Sequence, residues 1–583
     1  MNADPSQPLN LRLIARLFRI APETKPLQRR LLVHVITRAI QLPLLAWGIG
    51  AIINGPITQN DPLALAWSVT AYLLFAIATE VNFRFRMLNA QKFGEAVVYR
   101  LRSRVFRHVL DMPMAFFDRV KVGTLISRMT SDIELVRAGV QEVLFVSLVQ
   151  GGQMLVSGAL MAWYEPQLFL IVLGMAPILW FLNRRFHGEQ SRMLRHAQES
   201  FRNVTAQLAE SVSGVRVTQS FVRGEEAAGI FRRMVEHHSQ FHLGAARGTA
   251  VLFPLLELNS QFFVSALLLV GGWQALQASD PMPLGHLIMF LFLANLFFQP
   301  IQSLGTQYNN ALSALSGAES VFALLAEPPD WTDDPGSRDV TELRGDLVFE
   351  NVHFSYSPDR IALADVSFHA PAGSMVALVG HSGSGKTTIA RLASKLYLPT
   401  SGRILLDGTD LAELRGTSLR RRMAVVTQRS ILFAGSIREN LAFGAPEVTD
   451  DQILAVLEEL GCVDELGPLR LDAPVTEDGS NLSQGQRQLF CIARALLADP
   501  RMLILDEATS TVDGESEGRV QQAVARLLRD RTSLVIAHRL STIRHADLIL
   551  VLDHGHVVER GTHASLLAED GAYAALYRKF THT

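Results

Sequence analysis

The sequence predicts an α-helical six-span transmembrane domain followed by an α/β P-loop nucleotide-binding domain. Three observations carry that prediction. Long apolar runs fill the first half, joined by loops that either lack arginine or are crowded with it. The run Gly380-His381-Ser382-Gly383-Ser384-Gly385-Lys386-Thr387 fits the phosphate-loop pattern G-x-x-x-x-G-K-[ST] at every fixed position. Further on, Leu503-Ile504-Leu505-Asp506-Glu507 is an apolar strand ending in two carboxylates.

At 583 residues the chain exceeds one core and requires two or more domains. Hydrophobic residues make up 48% and charged residues 19%, too apolar a balance for a wholly soluble protein. The net charge of −2 supplies no basic excess for phosphate contacts, which argues against nucleic acid as a partner. Cys462 and Cys491 read as inert thiols of a cytosolic domain rather than a disulfide or metal pair. Met1 to Pro26 lacks the apolar core of a cleaved secretory signal. Within it, Leu11–Ile20 sets Arg12, Arg16 and Arg19 at helical spacing, a basic amphipathic helix expected along the membrane surface. This N-terminal segment is assigned residues 1–30.

The spans are read as Leu31–Ile53, Leu63–Val81, Gln141–Trp163, Leu168–Leu182, Ala250–Leu276 and Leu284–Leu304, the fourth short of the roughly 20 apolar residues a bilayer needs. Loop charge orients them. Asn54–Pro62, Tyr164–Gln167 and Gln277–Pro283 contain no Lys or Arg. The long connections carry Arg84, Arg86, Arg100, Arg102, Arg104 and Arg107, then Arg184, Arg185, Arg192, Arg195 and Arg202. Positive residues stay cytoplasmic, so both termini and both long connections are expected in the cytosol. Phe83–Phe116 and Asn183–Arg247 have few Gly or Pro and read as helices continuing out of the membrane. Each breaks once, at 116–128 and at 210–221, where a short transverse helix is expected. The transmembrane domain thus covers 31–326. No internal repeat is visible, which counts against an inverted-repeat secondary transporter.

Prolines, glycine and acids between Glu327 and Asp339 mark a linker, assigned to 327–341. From Glu342 to the end, short β-rich runs (Leu347–Phe354, Met375–Val379, Met423–Thr427, Met502–Leu505, Ser533–Ala537) alternate with helices. The glycines of the phosphate loop let backbone N–H groups curl around phosphates. Lys386 adds a point charge, and the Thr387 hydroxyl can ligate Mg²⁺. Of the two terminal carboxylates, one suits the metal's water shell and the other an attacking water.

Between these two motifs stands Leu482-Ser483-Gln484-Gly485-Gln486-Arg487-Gln488, which resembles the signature sequence of ATP-binding cassette proteins. With six spans ahead of it, nearly the whole chain resembles an ABC exporter half-transporter of the type IV fold. The resemblance implies roles residue by residue. Tyr356 would stack on adenine. Gly380, Ser382, Gly383, Gly385, Lys386, Thr387 and Thr388 would hold the phosphates. Gln428 would sense Mg²⁺ and the attacking water, beside Thr387 and Asp506 on the metal. Glu507 would polarise water, and His538 would contact the γ-phosphate. Asp513, in Ser510-Thr511-Val512-Asp513, would cross a dimer interface. Ser483, Gly485 and Gln486 of a second chain would close the site, and Glu477 would meet the transverse helices near Asp118–Thr124 and Val212–Gln219. ATP and Mg²⁺ are the implied cofactors, a bacterial inner membrane the implied location, and a second half-transporter chain the implied partner.

Gln484 stands where the family's signature has glycine, which favours a heterodimer over a homodimer. Cargo is less legible. Glu257 in the fifth span carries a cost of about 2.5–3.5 kcal/mol at depth, so it marks either a cationic-cargo site or a helix contact. Glu80 and Arg38 lie near the inner boundary, where they can snorkel. Asn295, Gln299 and Gln302 share a helical face and suggest a partly polar cavity wall, and Phe290, Phe292, Phe297 and Phe298 suit either an amphipathic or lipid-like cargo or lipid-facing packing. The reading is an ATP-driven exporter of amphipathic drugs or lipids. Import of a metal chelate by the same fold and an ATP-gated channel or regulator are the alternatives.

Overall fold

The computed structural model describes residues 11–277, 282–357, 359–461, 471–506, 514–537 and 540–581. Contacts divide the chain into two compact units. One comprises Met1–Leu110 with Val122–Glu327, the other Asp111–Lys121 with Pro328–Thr583.

The first unit is helical: α1 Leu11–Ile20, α2 Lys25–Ile52, α3 Pro62–Leu110, α5 Val122–Ser127, α6 Ile133–Ala138, α7 Phe145–Tyr164, α8 Pro166–Ser213, α9 Val215–Ser220, α10 Gly224–Ala275 and α11 Leu284–Ala326. Wide π turns at Arg128–Asp132 and Gly139–Leu144 join α5, α6 and α7. Hydrocarbon offers no hydrogen bonds, so a spanning segment must satisfy its backbone internally, and each expected span lies along a helix. Among the described residues, Pro22–Ile57, Pro62–Leu110, Val122–Tyr164 and Leu284–Ile301 are long and apolar enough to cross a membrane. The other two expected spans lie in α8 and α10. The helical extensions and the two breaks also occur where the sequence placed them, at α4 (Met114–Arg119) and α9.

Small residues bring α2 and α11 together. A Cβ on Gly285 would stand 2.4 Å from the Gly50 carbonyl oxygen, and the Gly285 N–H donates to Asn54 Oδ1 at 2.7 Å. Buried Gln153 of α7 donates to the Leu296 carbonyl of α11 at 3.2 Å. The apolar side of α1 packs on protein: Leu17 and Ile20 are buried, and Phe18 lies 5.2 Å from Phe93 and 6.4 Å from Phe145. On α11, Phe290, Phe297 and Phe298 are buried in the helix core with Leu267 and Met161, so helix–helix packing rather than a lipid-facing position accounts for these three, and Phe292 alone among the four is exposed. Asn295 and Gln299 are both exposed on α11; the side chains of Gln302 and Glu257 lie outside the described residues.

The second unit holds β1 Leu347–Ser357, β2 Arg360–Ala370, β3 Met375–Gly380, β4 Ser401–Leu406, β5 Thr409–Asp410, β6 Met423–Val426, β7 Gly435–Ser436, β8 Pro474–Val475, β9 Met502–Asp506, β10 Thr532–Ile536, β11 Leu548–Asp553 and β12 His556–Gly561. An antiparallel sheet has the order β2-β1-β4-β5. A second sheet has the order β12-β11-β3-β10-β9-β6, parallel except at β12. One core lies between the two sheets around Phe349, Leu363, Val376 and Ile389. The other lies under the helices around Leu489, Ile492, Leu505 and Val535.

The segment read as a linker is bound to this unit. Lys395, buried and held at φ +51°, donates to Asp333 Oδ1 at 2.8 Å, to the Ala412 carbonyl at 3.3 Å and to the Leu414 carbonyl. The Gly416 N–H donates to Asp333 Oδ2 at 2.8 Å, and the Arg338 N–H donates to the Glu413 carbonyl at 2.9 Å. Partial burial pushes the Asp333 carboxyl up, but Lys395 and the Gly416 N–H outweigh it and hold it below the usual range. Its contribution to stability is therefore complete above the unfolded carboxylate pKa and lost as pH falls through the lower folded value. Lys395→Met should lower unfolding stability by about 3 kcal/mol, because it strands a carboxylate and two carbonyls. Chemical denaturation of the full chain in detergent checks this.

Candidate functional site

The parallel sheet gathers the expected site. β10 pairs with β3 on one side and β9 on the other, with Val535 opposite both Ala377 and Leu505, and Val426 of β6 also faces Leu505. The carboxyl ends of β3, β10, β9 and β6 are thus neighbours. In that order the sequence runs on from them into the phosphate loop, His538, Asp506 with Glu507, and Gln428. Ligands of open α/β sheets bind outside such ends. Glu507, Asp513 and His538 lie outside the described residues. Asp506 closes β9 opposite Ile536, and Gln428 is exposed two residues beyond β6.

The loop geometry needs its glycines. Gly380, Gly383 and Gly385 have φ of +153°, +82° and +109°. A Cβ on Gly385 would stand 2.7 Å from Leu363 Cδ2 and 3.0 Å from the Ala362 carbonyl, so the loop would be displaced from the sheet beneath it. Helix α12, Lys386–Ala393, begins directly at the loop. Lys386 is buried, and its Nζ donates to the Gly380 and His381 carbonyls at 2.8 and 2.7 Å. Ser382 and Thr387 are exposed.

Tyr356 and Thr388, expected on opposite parts of the nucleotide, share a hydrogen bond of 3.2 Å between their hydroxyls. Arg391 Nη1 donates to Tyr356 Oη at 3.3 Å and to Asp118 Oδ2 at 3.5 Å, and the Tyr397 hydroxyl donates to the same carboxylate oxygen. Burial, then the bond to Asp118, push the Tyr397 phenol up, so it stays protonated as a donor. Asp118 belongs to α4. Within this unit Phe116 is buried, Ala115 packs on the core, and Arg119 grips Asp330 at 2.9 Å. The transverse segment therefore touches the residue expected to stack on adenine through one guanidinium. Sequence reasoning named Asp118, Tyr356 and Thr388 but missed Arg391 and Tyr397. The available signal was Arg391 three residues after Thr388, on one face of a short helix.

The signature opens the helix Gln484–Leu497 with a capping box. Ser483 Oγ accepts from the Gln486 N–H at 3.2 Å, and Gln486 Oε1 accepts from the Ser483 N–H at 2.9 Å. Gln486, read as a nucleotide contact, thus has its side chain engaged in holding the helix start. Gly485 is buried, Gln484 is exposed in the first turn, and Glu477 is exposed on the turn Glu477–Gly479. Burial pushes the Cys491 thiol up, which disfavours the nucleophilic thiolate. Among the described residues no group of three or more His, Cys, Asp or Glu gathers around a point.

Two family models match this chain. The ABC transporter transmembrane region covers residues 31–301, and the ABC transporter model covers residues 363–510. The chain is 35% identical to the ABC transporter ATP-binding protein YknV of Bacillus subtilis, over 97% of this chain and 94% of that one. It is 34% identical to the ATP-dependent lipid A-core flippase of Nitrosococcus oceani, over 97% and 95%. The flippase of Pseudomonas aeruginosa is 36% identical over 83% and 80%. Among solved structures, a bacterial Atm1-family ABC exporter with ATP bound superposes with a TM-score of 0.79 at 24% identity, over 95% of this chain and 99% of that one. That likeness concerns the fold.

Proposed function

The chain belongs to the ABC transporters, an ATPase fused to a membrane domain, and from that premise we propose that it is half of an exporter moving amphipathic lipids or drug-like compounds out of the cytosol by alternating access. The observation that carries the cargo class is the match, over nearly the full length of both chains, to a lipid A-core flippase. Chelate import and ATP gating draw no support from these relatives.

In this reading the residues at the four strand ends divide the work. Lys386 leaves the Gly380 and His381 carbonyls for the outer phosphates, and the loop N–H groups and the start of α12 cradle them. Mg²⁺ would be held by Thr387, Gln428 and Asp506 and would supply charge neutralisation. Glu507 takes a proton from water as its oxygen bonds to the γ-phosphorus, and the bond to the bridging oxygen of ADP breaks. His538 holds the γ-phosphoryl oxygens. Ser483 and the Gly485 N–H close the site from a second chain, whose Asp513 lies at the joint.

A second half-transporter is required, because one chain supplies one phosphate loop and one signature. The short helix α9 supports this: Val217, Phe221 and Val222 at and beyond it are 62%, 73% and 88% exposed. Gln484 favours a non-identical partner. The cassette and both termini are cytoplasmic and the domains divide at 31–326 and 342–583, with the 327–341 segment fastened to the cassette.

The deciding experiment is ATP hydrolysis by the chain purified alone in lipid nanodiscs, with its mass read on the same sample. Turnover that rises with phospholipid or amphipathic compounds supports export. A turnover indifferent to every amphiphile removes the cargo reading, and a fully active homodimer removes the heterodimer. Arg391→Ala should weaken ATP affinity about fivefold, by losing a cation–π contact and the tether on Tyr356. Equilibrium nucleotide binding reads that change directly.

A further inference from the structure

Arg86 of α3 is a buried guanidinium without an anion. The residue is 7% exposed, its Nε has no hydrogen-bond partner, and among the described residues it forms no ion pair. It lies against the Phe83 ring, 5.1 Å from the centroid, and Arg38 of α2 lies against the same ring at 4.8 Å. Only Arg38 has a carboxylate among the described residues: it bonds Glu80 at 3.2 Å and the Thr79 carbonyl at 2.8 Å, and the Glu80 side chain is 68% exposed. His34 and Asn82 are occupied with each other at 2.6 Å, and Asn82 donates to Gln41 at 2.9 Å. The cluster therefore holds two guanidinium charges against one largely solvated carboxylate. A buried charge is stable only when paired, so the arrangement lacks an anion.

We infer that Arg86 and Arg38 form a site for the phosphate headgroup of an anionic phospholipid, seated between α2 and α3. A diester phosphate matches two planar guanidinium groups by bidentate hydrogen bonding. Exposed apolar side chains flank the cluster on both helices, Val33 and Ile36 on α2 and Ile77, Val81 and Phe85 on α3, where acyl chains can lie. This favours a lipid over free phosphate. On the orientation proposed above the site faces the inner leaflet, where basic pockets between helices recruit acidic lipids. The inference rests on that orientation and not on the identity of the cargo.

The test uses the full chain in phosphatidylcholine nanodiscs doped with phosphatidylglycerol, with co-purifying lipid counted by native mass spectrometry. Nanodiscs expose both leaflets, so a negative result reports on the site and not on the orientation. Arg86→Gln should lose phosphatidylglycerol retention about tenfold, the scale of one charge-assisted contact. Arg86→Lys should retain most of it, and the exposed neighbour Arg84→Gln should retain all of it. Glu80→Gln should raise retention by freeing Arg38, which provides a gain that misfolding cannot imitate. Equal retention by wild type and Arg86→Gln overturns the inference. So does an equal loss in Arg84→Gln, which would report diffuse surface charge, or full displacement by inorganic phosphate.

Discussion

Glu507→Gln is expected to abolish steady-state ATP hydrolysis while ATP still binds and holds two cassettes together. The amide keeps the size of the side chain but cannot take a proton from water. Loss of a positioned general base removes on the order of 10²–10⁴-fold in rate. The substitution leaves Lys386, the loop N–H groups and the signature untouched, so affinity should be retained. The measurement is phosphate release under saturating ATP, paired with nucleotide retention on the same protein. Undiminished turnover in Glu507→Gln would withdraw the assignment and shift attention to Gln428 and His538. Retained turnover with lost binding would contradict it from the other side.

Lys386→Ala should weaken ATP binding by about 2–3 kcal/mol, on the order of fiftyfold, through loss of charged hydrogen bonds to the outer phosphates. The structure adds a second effect. Lys386 Nζ also holds the Gly380 and His381 carbonyls, so the alanine variant loses loop order before any nucleotide arrives. Nucleotide-free protein should therefore show faster amide exchange in 380–386 than wild type. Unchanged ATP affinity would remove the phosphate-loop reading. Unchanged exchange would show that the backbone alone holds the loop.

The elements legible in the sequence were those with local patterns. The α1 bounds at Leu11 and Ile20 followed from arginines at helical spacing, and β3 and β9 from unbroken apolar runs. Strands β2, β4, β11 and β12 were not read. β12, His556–Gly561, is mostly polar or exposed because it is an edge strand, so no apolar run announces it. In the turn before it, His554 and Gly555 both take positive φ, as a two-residue hairpin turn demands. The stretch from Glu327 to Asp339 was read by composition as a connector. Composition does not show that Lys395, more than fifty residues on, reaches back to Asp333.

Sequence alone determined the two-part construction, the phosphate loop, the paired carboxylates and the signature, because each is a short string whose chemistry requires fixed residue types at fixed spacing. Tertiary structure decided which of these strings meet. Parallel pairing of β3, β10, β9 and β6 sets side by side the ends of strands that lie up to about 150 residues apart in the chain. It also joined Asp118 to Tyr356 through Arg391, bound Gln486 into a helix cap, and left Arg86 buried beside Phe83 without an anion. Such outcomes depend on register and burial, which are set by distant partners competing for the same space, and no local pattern encodes them.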